Sequence, residues 1–158
     1  MGNQSCSNHY TLNIWHATFV WFSSLEVGYD DYTASLFEEE TGIKIPVSFD
    51  DTERFSKRYE YLTAEKRELW IKWRCEKIHA LILKLRDALR KYNPDLTLYI
   101  CAWNEPVKRT MFGWFNEKHQ YPAFMSEEEF LRFGGIDISM FAGDDGIRLS
   151  VEQNQHRD

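Results

Sequence analysis

Residues 96–103 read LTLYICAW, eight residues among which only a threonine breaks an apolar run. A strand with one wet face alternates polar and apolar residues. A continuous run instead marks a strand buried on both faces, typical of parallel sheets covered by helices. The turn Asn93-Pro94-Asp95 stands immediately before it. Upstream of that turn, Thr63 to Tyr92 carries apolar residues at Ile71, Cys75, Ile78, Ile82, Leu85, Leu89 and Tyr92. That four-and-three spacing predicts one long amphipathic helix. Thr63 is its expected N-cap, and Pro94 is expected to stop it by biasing Asn93 away from helical dihedrals. A long helix, a short turn and a buried strand make one α/β step.

Further elements follow from this step. ATFVWF (17–22) is a second apolar strand candidate, with a start as early as Leu12. A helix is expected from about Asp31 to Thr41, closed by Gly42. Ile43 to Phe49 and the charged stretch DDTERFSKRYEY show little periodicity and are read as a long connection. Ser126 with Glu129 three residues later predicts a capped short helix, SEEEFLRF, ended by Gly134-Gly135. GIRLSV (146–151) alternates as a strand does. The termini, 1–10 and 152–158, read as loose. The expected fold class is α/β, one domain over 1–158, formed as a partial (β/α)8 barrel of about three to four parallel strands with flanking helices.

Composition narrows the function. The 158 residues include 19 Lys and Arg against 25 Asp and Glu, a formal net charge of −6, with no long basic block. Nucleic-acid binding needs a cationic footprint, so it is not expected. No apolar stretch approaches the length of a membrane span, and the first residues lack a secretory layout, so the default compartment is the cytoplasm. Cys6, Cys75 and Cys101 are scattered, and the five histidines show no ligand spacing. Neither a metal nor a cofactor is expected. Aromatic residues make up 16% of the chain, which suits pockets where a flat apolar face meets a polar ligand.

Two glutamates fall at expected strand ends, where the sites of α/β folds gather: Glu26, after ATFVWFSSL, and Glu105, after LTLYICAWN. Glycoside cleavage needs a proton donor and a second carboxylate. Aromatic walls keep such a donor protonated. Trp103 beside Glu105, and Trp21 with Phe22 near Glu26, supply them in the sequence. Trp114, in the loop that follows, is a sugar-stacking candidate, with Asn104 beside the acid. Trp70, Trp73 and Arg74 are read as packing of the helix start.

The spelling Asn104-Glu105-Pro106 after a hydrophobic strand resembles the clan A glycoside hydrolases. In these (β/α)8 barrels Asn-Glu ends the fourth strand and the Glu is the acid/base. A longer resemblance covers roughly residues 20–103. WFSSLEVGYDDYTASLFEEETGIKIP, then LWIKWR, a long helix and PDLTLYI are similar to the middle of family 42-type β-galactosidases. In that pattern Asn-Glu-x-Gly precedes a helix containing Phe and ending in Gly, which puts Glu26 at the acid/base position. Leu25 stands where the family has Asn. The two registers leave Glu26 and Glu105 as alternatives for the acid. Either implies a carbohydrate substrate and O-glycoside hydrolysis, with a nucleophile on a later strand. The chain is shorter than the ~250 residues of a full barrel, so a fragment is expected. The alternative is a non-catalytic carbohydrate-binding or interaction module, or an inactive truncation, associating through open strand edges.

Overall fold

The computed structural model describes residues 9–13, 22, 25–103 and 126–152. Thr97–Trp103 forms the middle strand (β2) of a parallel sheet. His9–Asn13 (β1) pairs with it on one side, His9 opposite Thr97. Ile147–Glu152 (β3) pairs on the other, Leu98 opposite Ile147. β1 lies partly within residues that the sequence suggested were loose. The strand candidate at 17–21 lies outside the described residues, and Phe22 is not in a strand.

Between β1 and β2 stand three helices: α1 (Asp31–Thr41), α2 (Arg54–Ala64) and α3 (Arg67–Arg90). The long helix is therefore two. Thr63 belongs to α2, where its hydroxyl donates to Tyr59 O at 2.6 Å, and α3 starts after Lys66 without a side-chain cap. DDTERFSKRYEY is mostly helix rather than connection. α1 matches its punctuation: Asp30 caps its start, and Gly42 ends it at φ 71°, a left-handed conformation open to glycine. α4 (Glu127–Phe133) begins at Ser126, whose side chain accepts from Glu129 N. A 3-10 turn at Ile138–Phe141 leads to β3.

This architecture overturns the partial (β/α)8 barrel. Residues 25–96 are described throughout and contain no strand, so α1, α2 and α3 follow one another instead of alternating with strands. Gly42, Pro46 and the Asp50-Asp51 turn break up the segment in which a strand would have to form between α1 and α2. The described residues make a small mixed α/β domain, with four α-helices and one short parallel sheet.

α3 serves two clusters. Its second half, through Ile78 and Ile82, covers one sheet face together with Leu98, Ile100 and Ile147; Leu131, Ile136 and Phe141 close that aliphatic core. On the other sheet face Tyr99 keeps 36% of its surface exposed. The first half of α3, through Trp70, Ile71, Trp73 and Cys75, packs with Leu25, Tyr29, Phe37 and Leu62, an aromatic core shared with α1 and α2. The periodic stripe ends before Tyr92, which is 90% exposed. Gly135 sits at the junction with φ 90°, and a Cβ there would meet Ile78 Cγ1 at 2.8 Å, so no side chain fits.

Candidate functional site

A cleft of about 450 Å³ opens between the turn that leads into α1 and the exposed face of α2, lined by Glu26, Tyr29, Asp30, Phe55, Ser56 and Tyr59. Its volume lies in the range of small-molecule sites.

The first wall is the stretch 25–30. Leu25 is buried, and Gly28 has φ 95°, with Phe22 Cε1 3.1 Å from where a Cβ would stand. Beneath the turn, the buried Arg74 donates from Nη1 to Val27 O at 3.2 Å and to Leu25 O at 3.4 Å. Its Cζ lies 3.9 Å from the Phe22 ring centroid. The Tyr29 hydroxyl donates to Leu25 O and accepts from Trp70 Nε1 at 3.2 Å. Burial pushes the Tyr29 phenol up to about 12, so it remains a neutral hydroxyl at ordinary pH. Asp30 accepts from Thr33 N at 3.0 Å and from Thr33 Oγ1 at 2.6 Å. Burial works against its charged form, but the hydrogen bonds from Thr33 prevail, and its carboxyl sits below the usual range.

The second wall is one face of α2. Phe55 and Tyr59 are one turn apart and so share that face. Phe55 is 47% exposed, with Arg54 Cζ 4.3 Å from its ring centroid. The Tyr59 ring meets the Tyr29 ring edge-on, 5.4 Å between centroids at 86°. Ser56 Oγ donates to Glu53 O at 2.9 Å.

Asp31 ties the walls together. Its carboxylate accepts from Arg54 Nε at 2.9 Å, Arg54 Nη2 at 3.2 Å and Arg58 Nη1 at 2.7 Å. These hydrogen bonds from Arg54 and then Arg58 hold its pKa low. Arg58, 1% exposed, also donates to Tyr29 O at 3.1 Å. The same ion cluster therefore fixes both the start of α1 and the axis of α2.

Of the expected site residues, Glu26 lies in the cleft, half-buried. Trp103 ends β2. Trp21, Asn104, Glu105 and Trp114 lie outside the described residues. Trp70, Trp73 and Arg74 are 0%, 4% and 0% exposed and pack the aromatic core, as the sequence suggested. Trp73 also donates to Glu40 Oε2 at 2.6 Å. Tyr29, Asp30, Phe55, Ser56 and Tyr59 were not singled out by sequence reasoning. The spacing of Phe55, Tyr59 and Leu62 was the available signal, the i, i+4, i+7 mark of one helix face inside a charged stretch. Among the described residues no group of three or more His, Cys, Asp or Glu could hold a metal ion, and no helix is long and apolar enough to cross a membrane.

No family model, no curated protein and no solved structure matches the chain.

Proposed function

We propose that the chain binds a carbohydrate in the cleft between the start of α1 and α2. The observation that supports this most directly is the lining itself: an exposed phenyl face and two tyrosines interleaved with two carboxylates and a serine hydroxyl. A sugar ring presents C–H groups on its faces and hydroxyls around its edge. Phe55 and Tyr59 suit the faces, and Glu26, Asp30 and Ser56 suit the edge. Calorimetric titration of the chain with a panel of oligosaccharides tests the reading. Binding is expected, weakened about tenfold by Phe55→Ala, since an aromatic contact is worth ~0.5–1.5 kcal/mol. No binding to any member of the panel overturns it.

Hydrolysis of an O-glycoside with Glu26 as acid/base is a second reading, favoured by the position of Glu26 in this cleft. Cleavage also needs a nucleophile or base. Among the described residues the other carboxylate in the cleft, Asp30, is engaged in capping α1 through both oxygens. Binding without cleavage is therefore the stronger reading. Turnover of aryl glycosides that disappears in Glu26→Gln would establish hydrolysis instead.

A further inference from the structure

Phe55 is the most exposed ring in the lining of the cleft, at 47% against 6% for Tyr29. A freely rotating side chain loses rotamers when a ligand stacks on it, and that ordering weakens binding. Phe55 is not left free. Arg54 lays its guanidinium over the ring, with Cζ 4.3 Å from the centroid, within cation–π range. The buried Arg58 makes a longer approach, 5.8 Å from the same centroid.

The contact between Arg54 and Phe55 does not follow from helical periodicity. They are the first two residues of α2, and adjacent side chains on a helix do not face each other. The guanidinium is brought over the ring by the groups that hold it. Nε and Nη2 donate to the Asp31 carboxylate at 2.9 and 3.2 Å, and Nη1 donates to Asp51 O at 3.3 Å. These three hydrogen bonds fix a rigid planar group in place, and with it the ring against which it lies. Through Arg54, Asp31 at the start of α1 thus acts on a side chain of α2.

We propose that Arg54 is a positioning residue: anchored by Asp31, it holds the Phe55 ring in one orientation as a preformed stacking surface for the ligand. The use of that surface rests on the carbohydrate reading above, whereas the ordering of the ring does not. Pre-ordering one side chain is worth up to about tenfold in affinity, and about fivefold is expected here because Arg58 also approaches the ring.

The test removes the guanidinium in two ways. Arg54→Met keeps an unbranched side chain, and Arg54→Lys keeps the charge without the planar fork. In both variants Arg58 remains as a partner for Asp31. Side-chain NMR of Phe55 without ligand is expected to show one χ1 rotamer in the unaltered chain and rotamer averaging in both variants. In calorimetry with an oligosaccharide that the unaltered chain binds, each variant is expected to bind about fivefold more weakly. Arg54→Met combined with Phe55→Ala is expected to bind no more weakly than Phe55→Ala alone, because both changes act through one ring. The positioning role is overturned, while carbohydrate binding stands, by any of three results: the same Phe55 rotamer distribution with and without the guanidinium, an unchanged affinity in Arg54→Met, or losses that multiply in the double variant. If no oligosaccharide binds, the carbohydrate reading is overturned, and the rotamer measurement still decides whether Arg54 holds the ring.

Discussion

The two ends of α3 do different work with different residues. Around Ile78 and Ile82 the core is almost wholly aliphatic, and its packing against Leu98, Ile100 and Ile147 involves no buried charge among the described residues. Around Trp70 and Trp73 the core is aromatic and holds polar atoms in fixed places. Trp70 stacks on Trp73 with centroids 5.2 Å apart, the Trp70 indole donates to Tyr29, and Arg58 and Arg74 lie buried at the edge. Aliphatic packing gives cohesion and tolerates repacking. Directional contacts hold particular side chains in place, and the cleft lies at the end of α3 that has them.

The contrast can be broken most severely at Trp70. Trp70→Ala removes the largest fully buried side chain among the described residues and the donor to Tyr29, so a loss of about 3–5 kcal/mol in denaturant unfolding is expected. A conservative change at the other end, Ile82→Val, removes one methyl group and should cost only ~0.5–1.5 kcal/mol. A cost at Ile82 as large as at Trp70 would erase the distinction.

Alkaline titration sharpens it further. The folded pKa of Tyr29 is about 12, above the ordinary value of 10.0 that applies on unfolding. The folded chain therefore holds this proton through a window in which the unfolded chain loses it. The stabilisation is complete below about pH 10 and declines as pH rises toward 12. Tyr29→Phe should flatten that part of the stability profile, measured by denaturant midpoint against pH. An unchanged slope would place the phenol outside the core.

The smallest expected effect on stability is at the cleft rim. Phe55→Ala should change unfolding by no more than about 0.5 kcal/mol, because the ring is nearly half exposed. A larger loss would make Phe55 a core residue rather than a binding surface.

How much of this was legible in the sequence follows the same division. LTLYICAW and the stripe from Ile71 to Ile82 announced themselves because continuous and periodic apolar patterns reflect local geometry alone. α1 was legible from its start near Asp31 and its stop at Gly42 for the same reason. The cleft was not, because its walls are joined by Asp31 reaching Arg54 and Arg58, a pairing that no local pattern encodes. The charges flanking Phe55 and Tyr59 also hid the α2 face. The barrel expectation failed because one helix–strand step is common to many sheets. What a barrel further requires is a strand between successive helices, and the segment around Pro46 forms none.

The register of the sheet has a temporal consequence. Among the described residues β1 pairs with β2, His9 opposite Thr97, so this pairing waits until the whole helical segment and β2 have been synthesised. Closing so long a loop adds little to the thermodynamic cost but delays the pairing. During translation the β1–β2 pairing can form only after α1, α2 and α3 have emerged.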